Sequence, residues 1–426
     1  MLSNFLLFTL GLLFALEASS FQESRLMIFP RQSIVHFPRT ETERSKLYMG
    51  VTLTAAEKKR GTSIPASSIN LVKNCVGAGV FSLSARVCAI SPSVTTQLKA
   101  AGLIFTMALW SAYNFWAVGK TCEITGTSTY GDAWGKSVSE STRWIIQAVV
   151  TVAPIVSCLA SSIVLTDILG LTFKSAGLSP AIYGNRNLVI ALLSTLVLFP
   201  LCSLNDLSAL KSVSAFGLGG QGLATVALAA RLLDGSYAPG GTYSTVAKEV
   251  AKKSLNRMAT LKGTSLVATV DPLKQWFVLA SLLSYCFVTH YNAPRYYSEL
   301  EDNTSPRFGK MATISYFFSG IIYVLTMVLG IAVFGVESKS FLLSSLSSAD
   351  PFAIVARVAF GASVLASFPL IFLVMRNWFI SQAQRLAPVL GTTRRMTAIL
   401  LTGIALLCSR LKDIGQRKIF SLVSNP

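Results

Sequence analysis

Charge is missing from this chain in blocks. Lys99 and Lys120 enclose 20 residues without a single Asp, Glu, Lys or Arg, and Arg143 and Asp167 enclose 23. The intervals Arg186–Asp206, Lys211–Arg231, Lys274–Arg295, Lys310–Glu337 and Arg357–Arg376 are bare over 18 to 26 residues each. A helix of about 20 apolar residues crosses the hydrocarbon core of a bilayer, so these seven intervals read as membrane spans. An eighth span, Ser67 to Ile90, comes first in the chain; it is interrupted by Lys73 and Arg86 and rich in glycine. A ninth, Met396 to Cys408, is short, with 14 uncharged residues between Arg395 and Arg410. Only 13% of the 426 residues are charged, about half the share in a soluble domain. The expected class is an all-α integral membrane protein.

The net charge of +18 does not gather on one domain. In a polytopic protein such an excess belongs in inside-facing loops, so no nucleic-acid partner is expected and membrane lipid is. Setting the start of the first span inside gives the inside loops about twice the basic residues of the short outside loops. Residues 1–20 carry an apolar stretch, Leu6–Leu16, followed by the small residues Ala18, Ser19 and Ser20, which resembles a signal leader. Residues 21–66 add eight Arg or Lys and few acids. With Phe21 at the junction, the pair resembles a bipartite plastid leader; an ordinary signal anchor with a cytosolic tail is the plainer reading. The multi-pass body is therefore assigned to the plasma membrane or to an organelle, a plastid or vacuole included. Residues 67–411 form that body, and 412–426 a tail.

Catalysis finds little support. The seven Cys residues show neither zinc spacing nor a secreted disulfide framework, so no metal and no cofactor is expected. His36 and His290 are the two histidines; His290, inside a span, is read as a hydrogen-bonded structural residue before a proton carrier. Asp167, near the end of its span, reads as an interface residue as readily as a functional one. Gly217-Leu-Gly219-Gly-Gln-Gly222 matches a dinucleotide loop in letters only, because it lies inside an uncharged run with no strand before it. Close helix packing on small residues explains it better. Asn303-Thr304-Ser305 is a glycosylation tripeptide in a loop placed inside; either it goes unused or that loop faces outside.

Two spans look broken. Asn70-Leu-Val-Lys-Asn-Cys-Val-Gly77-Ala-Gly79-Val-Phe-Ser82 puts glycines where an ordinary span uses Leu and Ile. Ser284-Tyr-Cys-Phe-Val-Thr-His290-Tyr-Asn292-Ala-Pro294 is polar for half its length. Irregular backbone at membrane depth survives where it lines a cavity. Interruptions at corresponding places in two halves point to a carrier's midplane site. These are spans one and six, so the repeat is five helices long.

At these residues the chain resembles the amino acid/auxin permease family, nearest its sodium-coupled neutral amino acid transporter branch. The likeness runs through the glycines of span one, then Phe287-Val288-x-His290 and Tyr297-Ser298-Glu299-Leu300. It continues in Gly330…Phe334-Gly335, Asp350-Pro351, Ser367-x-Pro369 and Arg376, with Tyr130-Gly-Asp132…Gly135 as a loop. The resemblance implies an inverted repeat of five plus five helices with broken helices one and six, and alternating access. It implies a small amino acid substrate held at Gly77, Ala78, Gly79, Val80, Cys286, Phe287 and Thr289. The first break's N–H groups suit an α-carboxylate, and the sixth span's carbonyls suit the ammonium. A coupling sodium ion or proton would sit at Asn70, Val76 and Ser367. Lys73 departs from the branch, since an inward ammonium would repel sodium, and Arg86 is unusual at the outer end of span one. The family has about eleven spans; this chain reads as stopping after the ninth. The expected function is a secondary, cation-coupled transporter of neutral amino acids, a symporter, with no protein partner implied. A non-transporting sensor or scaffold is the alternative. No polar stripe or charged ring suggests a channel.

Overall fold

The computed structural model describes residues 61–203, 211–244, 272–339, 341–386 and 393–424. The leader and most of the basic segment after it lie outside the described residues. Among those described, the chain is helical throughout, and β structure is confined to one isolated bridge between Thr62 and Leu300.

Span one is divided into α1 (Ile64–Cys75), a 3-10 turn over Ala78–Ser82, and α2 (Leu83–Ile90). Helix α3 (Val94–Thr125) begins where the Ser93 hydroxyl accepts the Thr96 N–H and ends at Gly126 in the left-handed region. The stretch expected as a loop at 130–135 is instead a short helix, α4 (Tyr130–Ser137). Thr129 caps it by accepting the Asp132 N–H at 3.1 Å, and Asp132 stands in its first turn, where a negative charge is favoured. Helix α5 (Arg143–Ser175) is followed by α6 (Arg186–Leu192), which continues through a π turn into Phe199–Cys202. Pro200, with no N–H to donate, accounts for the irregular turn.

Helix α7 (Lys211–Leu233) precedes the second divided span, α8 (Pro272–Cys286) and α9 (Ala293–Glu299), with a 3-10 turn over His290–Asn292 between them. Helices α10 (Ser305–Phe334), α11 (Pro351–Leu386) and α12 (Thr393–Ser424) complete the order. The segments Val94–Thr125, Arg143–Ser175, Ser305–Glu337 and Pro351–Ile380 are each long and apolar enough to cross a membrane unaided. The short ninth run lies in the first half of a 32-residue helix. Helix α12 runs on through Ser424, because residues 411–424 contain no proline and only one glycine.

Four contacts fix the arrangement around the breaks. The two glycines that matter in the rejected nucleotide motif are packing notches on α7. A Cβ at Gly220 would stand 2.3 Å from the Ala359 carbonyl oxygen of α11, and one at Gly217 would stand 2.3 Å from Cε of Lys73. Phe81 of the first break wedges edge-on against Phe360 of α11 at 4.8 Å. Thr62 donates its N–H to the Glu299 carbonyl at 2.8 Å and accepts from the Glu301 N–H at 3.0 Å, tying the start of α1 to the end of α9.

At the opposite ends of α7 and α11, Arg231 grips the fully buried Asp350 with Nε at 3.0 Å and with Nη2. Tyr237, in the loop after α7, donates to the same carboxylate at 2.9 Å. Burial pushes its phenol well above the usual range, so it stays a donor. Asp350 also accepts the Phe352 N–H at 2.9 Å, capping α11. Asp167 pairs with Arg186 across the α5–α6 turn.

A candidate substrate site at two helix breaks

Span one breaks at a definite bond. The Val76 N–H still reaches the Val72 carbonyl at 2.8 Å, but the Gly77 N–H turns to Cys75 at 2.9 Å instead of continuing the ladder to Lys73. Gly77 is extended (φ −111°, ψ −158°), and the backbone re-forms as the 3-10 turn that leads into α2. In span six the ladder ends at Phe287, whose N–H bonds to Leu283 at 3.0 Å, and Val288 and Thr289 are non-helical before the turn at His290.

The two breaks meet. A Cβ added to Gly79 would lie 2.3 Å from Sγ of Cys286, so glycine at 79 makes room for the Cys286 side chain to pack against the first break. One phenol joins them: the Tyr323 hydroxyl, from α10, donates between the Cys75 carbonyl oxygen at 2.6 Å and the Cys286 carbonyl oxygen at 3.0 Å. Two turns earlier on the same face, Tyr316 holds the Thr289 hydroxyl at 2.7 Å and donates to the Phe287 carbonyl at 3.4 Å. Carbonyls freed by the sixth break are thus partnered by phenols, and each carbonyl oxygen keeps a second lone pair for another donor. The Phe287 ring packs 4.9 Å from the ring of Tyr323.

Of the residues singled out for substrate, Gly79, Cys286, Phe287 and Thr289 come together around α10. Gly77 faces open space at its missing Cβ, and Val80 is buried. Ala78 opens the 3-10 turn. Of the residues singled out for a cation, Asn70 lies one turn before Lys73 on α1, and Val76 is the C-cap of that helix. Ser367 donates back to the Ser363 carbonyl at 3.1 Å within α11. At His290 the Nε2 donates to the Ser111 carbonyl at 3.0 Å, and Phe115 and Tyr316 flank the ring. Arg86 is exposed.

Three residues escaped the sequence reading: Tyr316, Tyr323 and Ser363. The signal for the tyrosines was present in their seven-residue spacing, which sets two hydroxyls on one helical face inside an apolar span. Ser363 stands four residues before Ser367, so the same rule could have found it.

A sequence profile of the family described as transmembrane amino acid transporter protein matches residues 60–414. The chain belongs to this family. Curated relatives are distant but cover much of the chain. A Danio rerio protein provisionally named sodium-coupled neutral amino acid transporter 11 is 22% identical over 343 residues, 79% of this chain and 69% of the relative. Amino acid transporter AVT6E of Arabidopsis thaliana is 21% identical over 343 residues, 75% of this chain and 63% of its own length. Vacuolar amino acid transporter 2 of Saccharomyces cerevisiae is 23% identical over 192 residues, 45% of this chain and 36% of the relative. The chain therefore spans about two thirds of the first two relatives. As a transmembrane amino acid transporter family member, the protein is a multi-pass membrane protein and not an enzyme. Both breaks and every residue named for substrate or cation lie within the matched segment.

Proposed function

We propose that the protein is a secondary carrier of small neutral amino acids that works by alternating access and is driven by a sodium or proton gradient. The observation that carries this reading is the meeting of the two breaks, Gly79 against Cys286, with Tyr323 bonded to both. A substrate α-carboxylate would lie against the N–H groups around Gly77, Ala78, Gly79 and Val80, where the missing Cβ of Gly77 leaves room. Its ammonium would take the free lone pairs of the Cys286 and Phe287 carbonyls, with the Thr289 hydroxyl beside them. Neutral walls favour a side chain without charge, because an unpaired charge buried at this depth is costly. A coupling cation would find its oxygens between α1 and α11, from Asn70, Val76 and Ser367. The five-plus-five inverted repeat suits this arrangement, because it places the two broken helices at equivalent positions.

Counterflow of labelled amino acids in proteoliposomes tests the carrier without presuming the driving ion. Exchange of small neutral amino acids by wild type, lost by about tenfold or more in Gly79→Leu while membrane insertion is kept, is the expected result. Undiminished exchange by Gly79→Leu would remove the break from the site. Binding of an amino acid with no exchange would favour a sensor.

A further inference from the structure

Lys73 is a buried cation in the middle of the membrane body, 6% exposed. Its Nζ donates to the Ser363 carbonyl at 3.0 Å and to the Ser363 hydroxyl at 2.9 Å. Among the described residues no carboxylate pairs with it. The ammonium is held by neutral oxygens, as a hard metal cation would be. It also stands in the last turn of α1, where the helix dipole presents its negative end. The surroundings are shaped to admit it: at Gly217 a Cβ would lie 2.3 Å from Cε and 3.2 Å from Nζ of Lys73, so α7 is cut back to let the side chain pass. Ser367, one turn further along α11, has its hydroxyl turned to the Ser363 carbonyl and leaves that carbonyl shared with Lys73.

We propose that the Lys73 ammonium is a tethered cation filling the place between α1 and α11 that a sodium ion would otherwise take, so the protein carries amino acids without sodium. This inference rests on the carrier reading and narrows its driving force to the proton gradient. Two positive charges a few ångströms apart in a low-dielectric interior repel strongly. Ser363 therefore cannot serve sodium and Lys73 together. Removing the lysine leaves oxygens lined up with no cation, which a small ion from solution can occupy.

The test uses the full chain in lipid nanodiscs and in proteoliposomes, with sodium chloride or choline chloride as the salt. Wild type should melt at the same temperature in both salts and exchange amino acids equally in both. Lys73→Ala should lose exchange by about tenfold in choline and regain most of it in sodium, and its melting temperature should rise with sodium, since a ligand that binds only the folded state stabilises it. Lys73→Gln keeps an N–H donor for Ser363 without the charge, and serves where the alanine variant folds poorly; it should also gain a response to sodium. Wild type that is stabilised by sodium, or exchanges only in sodium, overturns the tethered cation while leaving the carrier standing. Variants whose melting temperature ignores sodium overturn it too. Absence of exchange by wild type in either salt counts against the carrier alone, because the melting experiment judges Lys73 by itself.

Discussion

Helices α7 and α11 take part in holding two cations, Arg231 and Lys73, in opposite ways. At one end Arg231 is matched by the Asp350 carboxylate, with Tyr237 completing the set and the Phe352 ring 4.4 Å from the guanidinium. Nearer the middle, and among the described residues, Lys73 is held by the neutral oxygens of Ser363. A matched pair is self-contained: removing either member strands the other, so its natural use is to fasten two helix ends. An ammonium held by neutral oxygens is exchangeable in principle, because what it leaves behind is uncharged. One pair of helices thus carries a matched ion pair at its end and the Lys73 ammonium near the two helix breaks.

Breaking the fixed joint should cost the most. Asp350→Ala removes two guanidinium bonds, the Tyr237 partner and the α11 cap together, and should destabilise the protein by about 3–5 kcal/mol, read by thermal unfolding in nanodiscs. Replacing Arg231 and Asp350 together by leucine should recover most of that loss; a double variant as unstable as the single would mean the clamp is not an isolated pair. Next comes Gly220→Ala. Its Cβ meets backbone, the Ala359 carbonyl, which has nowhere to go, so separation of α7 from α11 should cost about 1–3 kcal/mol. Gly219→Ala on the same helix meets nothing within 4 Å and should be neutral or slightly stabilising. If the two alanines behave alike, close packing of α7 on α11 is not what holds the lysine in register. Tyr323→Phe should cost less, about 1–2 kcal/mol, since two carbonyls lose one shared proton and each keeps other options. Its effect should appear more in exchange rate than in melting temperature, and a variant with wild-type exchange would show that the phenol is not needed to join the breaks.

The spans were legible because hydrocarbon tolerates so few charges: the spacing from Lys99 to Lys120, or from Lys310 to Glu337, is a length measurement. Both breaks were legible for a related reason, since Gly77, Gly79 and the polar run at 284–292 have no place in an ordinary span. What joins the breaks was not. Whether Lys73 reaches Ser363 or Ser367 depends on the rotation and height of α11 against α1, and the periodicity of either helix alone carries neither. Tyr323 acts through a long side chain that crosses to two other helices, so its partners are invisible at the level of its own span. Helix α4 was missed because glycines at 131 and 135 suggest a loop, while the cap made by Thr129 and the charge of Asp132 outweigh them. Charge counting marks the apolar stretch of α12 and not the polar continuation of the helix through Ser424.

The bridge between Thr62 and Leu300 reduces the number of independent moving parts. It welds the near ends of α1 and α9 through paired backbone, and Gly61 is pressed so closely on Glu301 that a Cβ there would lie 2.4 Å from the Glu301 Cα. Two half-helices that share a footing cannot tilt apart there. In the proposed carrier, an opening would turn about Gly77 in one span and Val288–Thr289 in the other, with α1 and α9 moving together. For the proposed carrier, such a shared footing would give both breaks the same timing, so that substrate is let go by the two together.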